Sequence, residues 1–308
     1  MEEAMDTQNP TPPADPAVWP IMVLAYNEED VIEAALDSIF ASEPGQKFDI
    51  YVMANGCTDR TEDLVRAYSA KHPEVKLVSI KLGDKCHAWN VFVQETAPTR
   101  CPGHDVYFFM CGDVRVTPGS LSAMRRALLE NPYPNAASSP PGSGRNVERD
   151  RRLLIQDHAI VANLYALRGS FVRRLKETGA RLPLNFEGDD ALIGTLVQWD
   201  LAPSPRPMDL QRVIPVAESA WVFDSLSPTR IEDWKFYWKR AIRYARRHYE
   251  FKLLGPELKS KGLAGMPVDI QDLYPRADKL SLRWQGLYTL TNWIALRRMR
   301  QIGEARRA

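Results

Sequence analysis

The sequence has few cysteines and almost no net charge. Its four cysteines among 308 residues (Cys57, Cys86, Cys101 and Cys111) form no CxxC pair and no zinc-type spacing. They read as free thiols of a reducing compartment, not as a disulfide framework. Lysine and arginine total 40 against 39 for aspartate and glutamate, a formal charge of +1. That balance gives no global reason to bind nucleic acid. No apolar run approaches the ~20 residues of a membrane span, and the acidic, proline-rich start is unlike a signal peptide. A GxGxxG after the first apolar run and a GxxxxGK[ST] are both missing. A dinucleotide-binding Rossmann enzyme and a P-loop NTPase are therefore disfavoured.

What is present begins with a tail. Residues 1–18, with Pro10, Pro12, Pro13 and Pro16 among acidic and small side chains, have little to bury and are expected to be disordered. One α/β domain is expected over residues 19–228, with a helical region over 229–308 packed on it. Buried strands are predicted at residues 20–25, 48–54, 75–80 and from Val106 onward, all mostly apolar and most of them rich in β-branched or aromatic residues. Helical spacing follows each one. Val31, Ile32, Ala35, Leu36, Ile39 and Phe40 mark the first helix, with Asn27 as its expected N-cap. Leu64, Val65 and Tyr68 mark the second. A third covers residues 85–95, and a fourth covers 118–130 with Leu121, Met124, Leu128 and Leu129 inward. Strand and helix alternate four times, which predicts a mostly parallel sheet with helices on both faces.

In such a sheet all the strand carboxyl ends lie on one edge, where open α/β sheets bind ligands. Tyr26-Asn27, Asn55-Gly56, the turn at residues 83–85 and Cys111-Gly112-Asp113 should therefore converge. Glycines in two of these turns allow a close backbone approach, and helix amino ends suit phosphate. Asp113 could hold a divalent cation that neutralises a diphosphate. Capping the next helix is its bland reading, but Thr117-Pro118 supplies a better cap.

The pattern then weakens. A short strand is expected at residues 136–140 and a long helix over 147–167, with Leu153, Leu154, Ala159, Ile160 and Leu164 inward. Glu187, Asp189 and Asp190 precede another helix. They read either as acids complementing a helix amino end or as a carboxylate pair suited to general-base work. Residues 213–216 and 220–223 read as a hairpin. From Thr229 the chain is helical and basic, with Arg240, Arg243 and Arg247 at helical spacing; a solvated face and an anion site both fit. A final helix over 279–302 carries a stripe of Leu280, Trp284, Leu287, Thr291 and Ile294 and ends in Arg297, Arg298, Arg300, Arg306 and Arg307. It either docks on the domain or lies on an anionic membrane.

These motifs together resemble the family 2 glycosyltransferases, inverting enzymes of the GT-A fold, over residues 19–247. Tyr26-Asn27-Glu28-Glu29 resembles the family's opening motif, and Asn55-Gly56-Cys57-Thr58-Asp59-Arg60-Thr61 its base-holding loop. Lys85-Cys86-His87-Ala88-Trp89-Asn90 is similar to its Lys-x-x-Ala-x-Asn segment. Cys111-Gly112-Asp113 falls where the family has Asp-x-Asp, and Gly188-Asp189-Asp190 where it has an acidic pair whose second member is the base. Cys111 departs from the pattern, since a thiol suits Mg²⁺ or Mn²⁺ poorly. The Gln-x-x-Arg-Trp motif of processive polymerising members is missing.

The resemblance implies transfer of one sugar, with inversion, from a UDP- or GDP-type nucleoside diphosphate sugar to a glycan or lipid-linked acceptor. It implies Asp190 as base shaped by Asp189, and Asp113 as ligand of Mg²⁺ or Mn²⁺. It places Ala25, Tyr26, Asn27, Glu28, Asn55, Lys85, Asn90 and Gly112 at the nucleotide, with Arg240 or Arg243 neutralising the leaving diphosphate. A cytoplasmic protein is expected, peripheral at the inner face of the membrane if the C-terminal helix lies on lipid. Two rivals remain: a catalytically inactive nucleotide- or carbohydrate-binding subunit, and a sugar-phosphate nucleotidyltransferase, whose glycine-rich arginine-lysine loop has Tyr-Asn-Glu-Glu in its place here.

Overall fold

A computed structural model describes residues 17–224 and 231–307. The tail expected at residues 1–18 lies outside them except for Ala17 and Val18, and Val18 opens the first strand. Strands β1 (Val18–Ala25), β2 (Lys47–Asn55), β3 (Val75–Ile80) and β4 (Val106–Cys111) run parallel in the order β3-β2-β1-β4. Helices α1 (Ile32–Ser42) and α2 (Thr61–Ser69) make the first two crossovers. The third is α3 (Lys85–Val91), a π-helical turn (Phe92–Thr96) and α4 (Ala97–Arg100) in succession.

Alternate residues of β1 go to opposite faces. Ile21 and Val23 meet Ile32, Leu36 and Ile39, while Met22 joins Trp89 and Phe92. Burial on both faces is why these strands read as unbroken apolar runs.

β5 (Arg115–Val116), α5 (Ser120–Glu130), β6 (Ala136–Ser138), α6 (Val147–Asp157), β7 (Leu164–Arg168), α7 (Gly169–Thr178), α8 (Asp189–Gln198), β8 (Val213–Pro215) and β9 (Trp221–Val222) follow. β7 enters the sheet antiparallel to β4, and β6 and β8 complete the order β3-β2-β1-β4-β7-β6-β8. The fold is thus α/β of the GT-A type, with a mostly parallel half and an antiparallel half.

Several expectations are corrected here. The helix over 147–167 is two elements: α6 ends at His158 in the left-handed region (φ 48°), and Leu164 starts a core strand. Leu164, Tyr165, Ala166 and Leu167 are all buried, and so short an apolar run has no period that separates strand from helix. Leu153 and Leu129 are exposed. The hairpin over 213–223 does not form, because β8 joins the main sheet and β9 pairs with β5. Asn27 caps nothing; α1 starts at Ile32, and Asn27 takes a left-handed turn conformation (φ 56°).

The carboxyl-terminal part is α9 (Ile231–Lys261), a 3₁₀ segment (Ile270–Lys279) and α10 (Thr289–Ala305). Tyr249, Leu253 and Leu254 of α9 share one apolar cluster with Trp89, Leu192 and Ile193 of the sheet side. The last helix is shorter than expected. Gly286 (φ 55°) makes a tight turn before it, so Trp284 and Leu287 stand in that turn and are exposed, not on a buried stripe. Thr291, Ala295, Met299 and Gly303 form the buried face instead.

Candidate active site

The loops after β1 and β2 are laced together at the carboxyl edge. Asn27 accepts the Thr58 N–H at 2.8 Å, Thr61 Oγ1 accepts the Glu28 N–H at 2.7 Å, and Asp59 accepts the Glu29 N–H at 3.1 Å. Gly56 (φ 66°) touches the turn after β3: a Cβ there would lie 2.5 Å from Gly83 Cα. No larger residue fits that crossing. Tyr26 stands exposed beside Gly83. Ala25 is fully buried, and its carbonyl accepts the Asn55 amide at 2.8 Å. Asn55 is itself buried, so it braces the turn that Gly56, Cys57 and Thr58 present to solvent.

The turn after β4 divides its three residues. Gly112 donates to the Leu24 carbonyl at 2.7 Å, and a Cβ on it would come within 3.2 Å of that oxygen. Asp113 is exposed at the edge. Burial first, then repulsion by Asp113 and Asp59, pushes the Glu28 carboxyl up to about 8. Carboxylates therefore crowd one another at this corner, the surrounding a hard divalent cation suits. Among the described residues no three potential ligands form a ready cage. The residues present fit a cation shared with substrate phosphates through Asp113. Cys111 does not join that set: its thiol donates to the Ala162 carbonyl at 3.3 Å, and burial above all pushes its pKa up to about 12.

A second cluster faces this corner from α3, α8 and α9. Asp84 caps α3 by accepting the His87 N–H at 2.6 Å, which sets Lys85 in the first turn. Lys85 Nζ meets Asp189 at 2.9 Å. Burial opposes the ammonium charge, but Asp189, Cys111 and Asp190 outweigh it and hold the group above its usual range. Asp189 and Asp190 open α8, where their charge also suits the helix amino end. The Asp190 carboxyl is raised by burial and then by Asp189; Arg247 opposes the shift. Arg247 grips it from α9 at 2.8 Å and 3.4 Å. The two corners are one neighbourhood, since the Cys111 thiol feels Lys85, Asp113, Asp189 and Glu28 together.

α9 fixes the acidic loop. Arg246 pairs with Glu187, and the fully buried Glu250 accepts the Glu187 N–H at 2.9 Å and the Tyr274 hydroxyl at 2.6 Å. Gly188 lies under Phe251, where a Cβ would come within 2.4 Å of the ring.

Three sequence expectations change. Asn90 is buried, and both ends of its amide bond the Leu182 backbone at 2.8 Å, so it pins a loop and does not face a nucleotide. Arg240 turns to Tyr244 at 2.9 Å and Arg243 is exposed; Arg247, one turn on, meets the carboxylates. Arg246 and Glu250 escaped the sequence reading, although their i,i+4 spacing on an amphipathic helix was visible. Three arginines of the expected basic end of the last helix are also spent internally. Arg306 pairs with Asp269 and Asp272, Arg307 with Asp278, and Arg300 donates to the Leu280 carbonyl.

The model of the family described as Glycosyl transferase family 2 matches residues 21–183. The chain belongs to this family and is a glycosyltransferase. Among solved structures it is similar to a mannosyltransferase of Pyrobaculum calidifontis in complex with GDP-Man and Mn²⁺, at 18% identity and TM-score 0.56 over 95% of this chain and 75% of that one. It is also similar to the glucosyl-3-phosphoglycerate synthase of Mycobacterium tuberculosis in complex with Mn²⁺, UDP-Glc and phosphoglyceric acid. There the identity is 19% and the TM-score 0.50, over 82% of this chain and 80% of that one. No curated protein matches the chain. No helix among the described residues is long and apolar enough to cross a membrane.

Proposed function

We propose that the protein transfers one sugar, with inversion at the anomeric carbon, from a UDP- or GDP-type nucleoside diphosphate sugar to an acceptor hydroxyl on a glycan or lipid-linked molecule. The observation that carries this reading is the adjacent carboxylate pair of buried Asp189 and half-buried Asp190, held between Lys85 and Arg247 beside the carboxyl edge where Asp113 stands.

Asp190 is the base. Its carboxylate takes the acceptor proton as the hydroxyl oxygen bonds to the anomeric carbon and the bond to the diphosphate breaks. A raised carboxyl suits that task better than an ordinary aspartate. Asp189 keeps Lys85 in place, and Lys85 faces the diphosphate. Tyr26, Asn27 and the turn braced by Asn55 border the nucleotide, with Gly112 allowing close approach. Mg²⁺ or Mn²⁺, held by Asp113 with Glu28 beside it, would neutralise the diphosphate charge. The mannosyltransferase and the phosphoglycerate enzyme, both bound to Mn²⁺ and a nucleotide sugar, support this choice of cofactor and donor. A cytoplasmic location at the inner face of a membrane is part of the same proposal.

The test is Asp190→Asn. Calorimetry with UDP and GDP sugars and Mn²⁺ should show donor binding retained, while transfer falls by roughly 10²–10⁴-fold. NMR of the wild-type product should show the opposite anomer to the donor. Full transfer by the folded variant would overturn the assignment. A second reading, a nucleotide- or carbohydrate-binding subunit without turnover, draws on Cys111, which removes an acid from the metal corner. Metal-independent binding with no product would favour it.

A further inference from the structure

The surface around the turn before α10 is unlike the rest of the molecule. Leu287 is 95% exposed and Trp284 is 82% exposed at its tip. Tyr288, just before α10, is also exposed, and Leu290 and Trp293 stand exposed on the face of α10 opposite its buried stripe. The turn walls a groove of about 780 Å³ whose other side is α9, where Trp238 and Tyr244 are exposed. Isolated exposed apolar side chains are ordinary, but Leu287 and Tyr288 facing Trp238 and Tyr244 across one groove mark an interaction site.

Charge decides the partner. Between Lys279 and Gly303 the chain has no aspartate or glutamate, yet it carries Arg283, Arg297, Arg298 and Arg300. Between Trp234 and Tyr249 it again has none, and carries two lysines and four arginines, of which Arg246 and Arg247 are engaged by Glu187 and Asp190. These two acid-free stretches face each other across the groove, in a chain whose net charge is only +1. Arg240 and Arg283 line the groove, and Arg297 lies over the Trp293 ring at 5.2 Å. Apolar tips ringed by tryptophan, tyrosine and arginine form the composition that seats in the headgroup layer of an anionic bilayer.

We propose that this turn is a membrane anchor: Trp284 and Leu287 insert into an anionic lipid surface while the surrounding arginines meet lipid phosphates. Arg306 and Arg307, the last of the basic residues the sequence suggested, are consumed by internal pairs and take no part. Tyr244 and Arg240 lie one and two turns of α9 from Arg247, which grips Asp190. Docking here would therefore set the acidic loop close to the lipid surface.

The test is co-sedimentation of the full chain with vesicles of phosphatidylglycerol and phosphatidylcholine, against vesicles of phosphatidylcholine alone, at about 0.15 M salt. Binding to the anionic vesicles should exceed binding to the neutral ones. The double variant W284S/L287S should lose about tenfold or more of it, and Arg297→Gln a smaller part. Both tip side chains are exposed, so the variant should keep the wild-type melting temperature and donor binding by calorimetry. Wild-type protein that stays in the supernatant, or a double variant that sediments like wild type, would overturn the anchor. So would a dimer by analytical ultracentrifugation that the double variant abolishes, because a second copy would then cover the turn. Donor binding measured on the same samples separates failure of the anchor from failure of the sugar-transfer reading.

Discussion

Asp190 is pulled two ways. Burial and Asp189 favour its neutral form, and Arg247 favours its charged form. A base must be deprotonated to act, so transfer should fail as pH drops through its raised pKa. The acid limb of the rate profile is expected above the usual aspartate range. Arg247→Gln removes the group that lowers this pKa, so the limb should move to higher pH; an unmoved limb would show that another group titrates. Gly188 allows a simpler prediction. A methyl group there meets the Phe251 ring, and overpacking of this kind costs about 1–3 kcal/mol. Gly188→Ala should lower denaturant stability by that amount and weaken transfer further by shifting the acidic loop.

Among the elements, α9 joins the two halves of the site. Its Arg246, Arg247 and Glu250 hold Glu187 and Asp190, and Glu250 is fully buried. Glu250→Leu would strand the Tyr274 hydroxyl and the Glu187 N–H. Unpaired buried groups cost about 1–3 kcal/mol each. The variant should melt earlier, and Asp190 should lose its fixed position even in the folded fraction, which a drop in kcat larger than any rise in KM would report. β7 teaches a related lesson. Its four buried apolar residues follow α6 so closely that helix and strand share the same sequence signal, and only its place between β4 and β6 settles the matter.

At the scale of the whole molecule, the main sheet and the carboxyl-terminal cap share a core. Gly303 lets α10 lie against the 3₁₀ segment, since a Cβ there would come within 2.4 Å of the Tyr274 carbonyl. Gly303→Val should lift α10 and lower the melting temperature cooperatively, with no separate transition for the cap. A second, independent melting step would show the cap to be a free-standing unit. Donor and Mn²⁺ together should raise the melting temperature more than either alone, because ligands that bind only the folded state stabilise it.

The residues by themselves determined the parallel half of the fold and the edge where chemistry gathers. Buried strands, helix spacing and glycine turns are local signals, and the rule that parallel strands end on one edge turns them into a place. Tyr26, Lys85 and Asp113 were legible for that reason, and Asp190 from the acid cluster that opens a helix and its likeness to the family's acidic pair. What sequence could not supply was partnership across long separations. Arg247 rather than Arg240 or Arg243 reaches Asp190 because, of three arginines on one face of α9, only it lies at the level of the amino end of α8. Asn90 turns inward because Leu182 stands beside it. Arg306 and Arg307, at the end of the last helix, are spent on acids more than twenty residues away. Such choices depend on which surfaces meet after folding, and no pattern within a single segment records them.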